Sequence, residues 1–283
     1  MVGSGPPLVC VPGGPGQAVE YFGELGGLSD HRTLVLLDNR GTGASQAPRD
    51  PATYRVDRLV QDVEALRGHL GLDRMDLFGH SASGGICLLY AVEYPHRLDR
   101  LVLVDPSLRV VGIQSDLGVD EVLARRVHEP WYADAVAALH AEAASPQELE
   151  RYRWLSAPLL YGRWNAAAQA QAAAEPAQFA QAATDGFYAG FDPDPGLPKR
   201  LAALTVPVLL VAGEYDIWPT CRAVRELAAL LNNADFAVLP RAGHFPWVDD
   251  PATFVATVQG FLRRHRFTLP TKVFYRLDDQ RLG

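Results

Sequence analysis

The 283-residue chain carries 26 basic and 33 acidic side chains, for a net charge of −7, and 48% of its residues are hydrophobic. That apolar content supports a sizeable core and argues against disorder, while the length suits one large α/β domain, alone or with a smaller one inserted. An acidic balance without a dense basic run argues against a nucleic-acid partner, and no stretch approaches the roughly 20 apolar residues of a membrane span. The start, MVGSGPPLVCVPGG, lacks the basic and apolar regions of a secretory signal, so a cytoplasmic location is expected. Cys10, Cys87 and Cys221 are odd in number and far apart, and read as buried thiols of a reducing compartment. No metal or organic cofactor is implied, and nothing in the pattern sets an oligomeric state.

Short apolar runs bounded by turn residues predict strands at Leu8–Val11, Thr33–Leu37, Met75–Phe78, Leu101–Val104, Val208–Val211 and Phe236–Leu239. Helical stripes lie between them. Leu59, Val63, Leu66 and Leu70 form one, with Asp57 as its expected N-cap, and Ile86, Leu89, Tyr90 and Val92 form another that stops before Pro95. Val224, Leu227, Leu230 and Leu231 make a third, and Phe254, Val258, Phe261 and Leu262 a fourth. This alternation predicts an α/β fold with a mostly parallel sheet covered by helices on both faces.

The stretch 106–199 breaks the alternation. Between Trp131 and Gly190, 20 of 60 residues are alanine, interleaved with Trp154, Tyr161, Trp164, Phe179, Phe187 and Tyr188. Alanine favours helix and the aromatics supply packing, so a helical cap over 106–199 is expected, with the core formed by 1–105 and 200–283. The cap's aromatics suit a small substrate with apolar surface.

In MDLFGHSASGG an apolar strand runs into Gly79-His80-Ser81 and then into a helix, the pattern of a nucleophile elbow. Such a turn needs small residues two before and two after the serine; here they are Gly79 and Ser83, so strict G-x-S-x-G is not met. Ser83 is itself flanked by Ser81 and Gly85 and is a rival nucleophile, but Ser81 directly follows the strand. A serine hydroxyl needs a general base. Of eight histidines, His31, His69, His96, His128, His140 and His265 read as surface residues, and His80 should point away from the serine's partner. His244, in the loop PRAGHFPWVDDP after the last core strand, reaches the carboxyl edge of the sheet, where open α/β sheets place their sites. Asp216 in GEYDIWP is the candidate acid at the same edge, with Glu214 and Asp105 as competitors. The order Ser81, Asp216, His244 is that of hydrolases with this elbow. Developing charge needs pre-aimed N–H donors. The amide of Ala82 is one, and the loop Pro12-Gly13-Gly14-Pro15-Gly16 should supply the other; this loop lacks the lysine and spacing of a phosphate-binding loop.

These residues resemble the α/β-hydrolase superfamily, and more narrowly the proline iminopeptidase (prolyl aminopeptidase) group. The resemblance is carried by VPGGPG at 11–16, LLDNRGTGAS at 36–45, GHSASGG at 79–85, GEYD with AGHFPW, and the spacing from Ser81 to Tyr94-Pro95. It implies a Ser81–Asp216–His244 triad, Gly14 and Ala82 as oxyanion donors, and Asp38-Asn39-Arg40-Gly41 as a loop near the site, with Arg40 either structural or in contact with substrate. Gly13, Trp164, Asn165, Phe187, Trp218 and Phe245 are candidate substrate contacts. The chain departs from the family where Pro12 replaces a histidine and Ser83 a glycine. It also has no acid in Arg163-Trp164-Asn165, where the family uses a carboxylate for the substrate's free N-terminus. Other acids of the segment, Glu129, Asp134, Glu142, Glu175 and Asp185 among them, could take that role. The implied activity is acyl-enzyme hydrolysis of a small amide or short peptide, led by removal of N-terminal proline. Esterase, lactonase or acyl-transfer chemistry in specialised metabolism is the alternative, and a non-catalytic binding protein a third reading.

The chain enters PLVCV after six residues, without the strand pair that opens the family, and ends in FTLPTKVFYRLDDQRLG. Alternating Val273, Tyr275 and Leu277 suggest a strand. The expectation is a circular permutant whose tail, 272–278, lies beside Leu8–Val11.

Overall fold

The computed structural model describes residues 1–264 and the backbone of Phe274–Tyr275. Six expected strands form, as β1 (Pro7–Val11), β2 (Thr33–Leu36), β3 (Met75–His80), β4 (Leu98–Val104), β5 (Val208–Gly213) and β6 (Ala234–Leu239). A two-residue β7 (Phe274–Tyr275) completes a sheet of order β2-β1-β3-β4-β5-β6-β7, and every pair is parallel.

Successive side chains of a strand face opposite ways, and here both faces are buried. In β1, Val9 and Val11 pack with α1 (Val56–His69), α2 (Ser83–Glu93) and residues around it, while Leu8 and Cys10 face the other layer. That second layer contains α11 (Pro251–Leu262), whose Phe254, Val258, Phe261 and Leu262 are all buried as the sequence stripe requires. Asp57 is not the N-cap of α1. Arg55 holds that position, and Asp57 sits in the first turn, pairing with Arg55 Nε at 2.6 Å, where its charge still suits the helix dipole. In α2, Leu88 is fully buried and Leu89 and Val92 only half-buried. Cys10 and Cys87 are buried and Cys221 half-buried.

Between β4 and β5 the chain forms α3 (Val119–Ala124), α4 (Tyr132–Leu139), α5 (Pro146–Ser156), α6 (Ala166–Ala174), α7 (Gln181–Gly186) and α8 (Leu197–Ala202). Ser145 and Asn165 cap α5 and α6 through their side chains. The segment is tied to the loop after β1 by the Gln17–Phe179 bridge and by Ala18 N–H donating to Gln178 O at 2.8 Å. After β5 come α9 (Cys221–Leu230) and, beyond β6, α10 (Pro246–Asp249) leading into α11. No helix of the described residues is long and apolar enough to cross a membrane.

The expectation for the tail is not met. Phe274–Tyr275 pairs with Phe236–Ala237 of β6, at the sheet edge opposite β2, and four strands separate it from β1. The open edge of β6 supplies the unpaired backbone groups that a strand needs, and the tail takes that edge. The other residues of 272–278 lie outside the described residues, as does His265.

Candidate active site

The end of β3 is built as a tight turn. Ser81 has φ +54, and its amide donates to Val104 O at 3.1 Å while its carbonyl accepts from Ser107 N at 2.7 Å. A Cβ on Gly79 would stand 2.6 Å from Cys87 Sγ, and one on Gly13 2.6 Å from His80 O and 2.7 Å from Ser81 Cβ, so both neighbours of the turn must be glycine. Ser83 fits where a second glycine was expected because its hydroxyl is used. Ser83 Oγ accepts from His80 N–H at 2.9 Å and lies 2.7 Å from Val11 O, and the residue is fully buried. Ser81 is half-buried and lines a cavity of about 430 Å3.

His244 reaches the same cavity from the loop after β6. Its Nδ1 lies 2.7 Å from Asp216 Oδ2, and its backbone amide donates to Leu160 O at 2.7 Å. Asp216 is fully buried, and its second oxygen accepts from Trp218 N–H at 2.9 Å. Both oxygens are thus satisfied, which fixes the carboxylate and directs the Nδ1–H tautomer of His244, leaving Nε2 free to act as a base.

The competitors face elsewhere. Glu214 pairs with Arg125 Nη1 at 3.0 Å and accepts from Arg241 N–H. Asp105, fully buried with φ +42, accepts from Gly213 N–H at 2.9 Å and lies beside Asp216. Burial and the charge of Asp216 hold its carboxyl well above the usual carboxylate range.

The amide of Gly13 donates to Tyr21 Oη at 2.8 Å. Among the described residues the Gly14 and Ala82 amides donate to no backbone carbonyl, and both residues line the cavity. Two free N–H groups beside a serine on a tight turn, with a carboxylate-oriented imidazole, are the parts needed for acyl transfer. Residues 6–251 match the family model of the alpha/beta hydrolase fold. The chain belongs to the α/β-hydrolase family. RutD of Caulobacter segnis, a protein named as a carbamate hydrolase, is 30% identical over 84% of each chain. A proline iminopeptidase of Heyndrickxia coagulans is 24% identical over 92% of this chain and 91% of its own. The structure of an esterase from a Rhodococcus species superimposes with a TM-score of 0.71 at 24% identity, covering 92% of each chain.

Within this α/β-hydrolase, Trp218 and Phe245 line the cavity, whereas Gly13, Trp164, Asn165 and Phe187 are absent from its lining. Asn165 is occupied as the cap of α6, accepting from Ala168 N–H at 3.1 Å. Trp164 packs against the rings of Trp154 and Tyr161, and Phe187 is buried against Tyr188 in the core. Gly13 lies beneath Ser81. Arg40 turns away to a two-pronged pair with Asp62, at 2.8 and 2.5 Å, and is structural.

Three features escaped the sequence. His80 is nearly inaccessible and joins the site's loops: Tyr21 Oη lies 2.8 Å from its Nδ1, and its Nε2 lies 2.8 Å from His244 O. Since a carbonyl only accepts, Nε2 carries the proton and Nδ1 accepts from Tyr21. Burial, then the charge of His244, pushes His80 well below the usual imidazole range. Asp249 accepts from Gly162, Arg163 and Gly243 N–H groups and so fastens the His244 loop to the segment between β4 and β5. Glu175 and Arg109 are the charged side chains that line the cavity besides the histidines. Among the described residues no group of His, Cys, Asp and Glu is arranged to hold a metal ion.

Proposed function

We propose that the protein is a serine hydrolase that cleaves a small amide or ester through an acyl-enzyme, with proline iminopeptidase-like removal of an N-terminal residue as its leading activity. The observation that carries this is one cavity holding Ser81, the Asp216-paired His244 and the carboxylate of Glu175. Ser81 Oγ attacks the carbonyl carbon as His244 Nε2 takes the hydroxyl proton. Asp216 holds Nδ1–H and stabilises the imidazolium, and the Gly14 and Ala82 amides receive the oxyanion. Collapse breaks the C–N or C–O bond, and His244 returns its proton to the leaving group. A water deprotonated by His244 then attacks the acyl-enzyme, restoring Ser81 and releasing the acid.

Residues 106–199 act as the cap over the core formed by 1–105 and 200–283. From the cap comes Glu175, the one carboxylate among the described residues lining the cavity; it makes no hydrogen bond or ion pair among them. Burial pushes its carboxyl up, against the opposing charges of His244 and Arg153. A cationic amine of substrate would relieve that cost, the role sought in vain at Arg163-Trp164-Asn165. Carbamate, ester or lactone cleavage is the second reading, favoured by the 30% identity to RutD and by a nucleophile set that accepts any acyl carbon.

Labelling by a fluorophosphonate probe tests the reading. Ser81→Ala should abolish it, whereas Ser83→Ala should keep it; the reverse pattern would overturn the assignment. Turnover of a proline anilide against a p-nitrophenyl ester separates the two activities. Absence of both labelling and turnover would favour the non-catalytic binding protein.

A further inference from the structure

The cavity carries one cation whose role the reaction leaves open. Arg109 follows β4 by five residues and lines the cavity with Ser107, Ser115 and Tyr188. Its guanidinium carbon lies 4.4 Å from the centroid of the Tyr188 ring, and Tyr188 Oη is itself 2.9 Å from Ser107 Oγ. The ring is therefore held, and the guanidinium sits over it. A cation–π contact uses none of the N–H donors of the fork. Among the described residues Arg109 makes no ion pair and no side-chain hydrogen bond. This is unlike Arg32, Arg40, Arg55, Arg67, Arg74, Arg97 and Arg100, each of which meets a carboxylate. The chain as a whole is acidic, and among the described residues lining the cavity Arg109 is the one arginine or lysine that an approaching anion would meet.

Glu175 is the complementary, unpaired anion of the same cavity. The two sit on different elements: Glu175 opens the 3-10 turn Glu175–Gln178 after α6, and Arg109 follows β4. They do not neutralise one another. A cavity of about 430 Å3 has room for a molecule of dipeptide size, with Ser81 and His244 lining it alongside both charges.

We infer that Arg109 is an anion anchor, and that the substrate class is a small molecule bearing a carboxylate apart from the scissile carbonyl, in its fullest form a zwitterionic dipeptide with its amine at Glu175 and its carboxylate at Arg109. This rests on the reading of the cavity as the substrate site, and it narrows that reading. A longer peptide, or one with its C-terminus amidated, leaves the fork unfilled. The same fork serves an ester or carbamate whose acid or alcohol part carries a second carboxylate.

Binding tests the inference without requiring turnover. Ser81→Ala protein is titrated calorimetrically with prolylglycine and prolylglycinamide, and with monomethyl succinate and methyl butyrate. Each pair differs chiefly in one anionic group. In at least one pair the anionic member should bind about tenfold more tightly, as expected for a charge-assisted hydrogen bond to a fork. Adding Arg109→Met should close that gap to within about twofold. Arg109→Lys, which keeps the charge and loses the fork, should leave an intermediate preference. Equal binding within both pairs, or a preference that survives Arg109→Met, overturns the anchor. Hydrolysis of the four compounds by the unaltered protein is scored separately. A protein that prefers the anions yet cleaves none keeps the anchor and loses the hydrolase reading, and one that cleaves these compounds but binds the members of both pairs with equal affinity keeps the hydrolase and loses the anchor.

Discussion

Asp105 provides the sharpest test of the site's electrostatics. It is fully buried, its Oδ1 accepts the Gly213 N–H at 2.9 Å, and burial beside the charge of Asp216 pushes its carboxyl well above the usual carboxylate range, which favours the neutral form. Asparagine is nearly isosteric: its oxygen can keep the Gly213 bond and its NH2 can donate towards Asp216. It also tolerates the left-handed φ of +42 at this position, which alanine does not. Alanine strands a buried N–H, worth about 1–3 kcal/mol, and adds backbone strain of up to about 1 kcal/mol. A loss near 2 kcal/mol corresponds to a melting temperature lowered by about 4–8 °C. The pH dependence then fixes the sign. A carboxyl whose folded-state pKa is raised confers stability that is complete below its unfolded value of about 3.9 and is lost as pH rises towards the folded-state value. Asparagine never ionises. Thermal melts followed by circular dichroism should therefore place Asp105→Asn level with the parent near pH 4 and increasingly above it towards pH 8. Asp105→Ala should lie below both near pH 4. If Asp105→Asn instead falls further below the parent as pH rises, Asp105 is ionised and its charge is needed, and the assignment of the neutral partner fails.

Two further outcomes follow from the same hydrogen bonds. Asp216 accepts from two N–H groups, Trp218 and His244, so Asp216→Asn must either face its NH2 against one of them or donate to His244 Nδ1 and invert the tautomer. The expected fall in kcat is about 10^3–10^4, as for other triad acids, with KM little changed in steady-state assays; a fall below tenfold would remove Asp216 from the proposed triad. His80 is held neutral with its pKa depressed, so its contribution to stability is present above the unfolded value of about 6.5 and is lost as pH falls below it. Against His80→Gln, which takes up no proton, the parent should lose up to about 1.4 kcal/mol per pH unit below that point in denaturant titrations. Parallel acid limbs for the two proteins would show that His80 is not buried in its neutral form.

Legibility in the sequence followed from how local each signal was. The strands of the core are continuous apolar runs, and both faces are covered, so their bounds could be read within three residues. Ser81 was legible because the strand, the glycine and the helix sit side by side in the chain. The pairing of Asp216 with His244 was legible only through chain order. Trp164, Asn165 and Phe187 were misjudged because an aromatic or amide side chain in a helical layer has several ways to be satisfied: as a cap for Asn165, as packing for the other two. Glu175 stood among five equivalent acids, and only the fold of the layer separates it from the others. The tail was misjudged because period-two alternation marks a strand but carries no information about which sheet edge it joins.

The same contrast explains why His80 could not be recognised as a brace. β6 lies three strands from β3, at about 4.8 Å per strand. The loop carrying His244 must therefore turn back over the ends of β5 and β4 to meet Ser81. It does so by lying directly on Gly213, where a Cβ would stand 2.7 Å from Ala242 O and collide with Gly243 O, and by giving Ala242 O to Tyr215 N–H at 2.8 Å. At the far end of that crossing the loop meets His80, whose Nε2–H holds His244 O, while its Nδ1 takes the Tyr21 hydroxyl that in turn receives Gly13 N–H. One imidazole thus spans the glycine loop after β1, the turn after β3 and the loop after β6, whose separate placement sets the proposed oxyanion donors, nucleophile and base. A histidine suits this position because it offers one donor and one acceptor on opposite sides of a rigid ring, and the arrangement works only while it stays neutral. Its value lies entirely in contacts 59 and 164 residues away, which a reading of neighbours along the chain cannot contain.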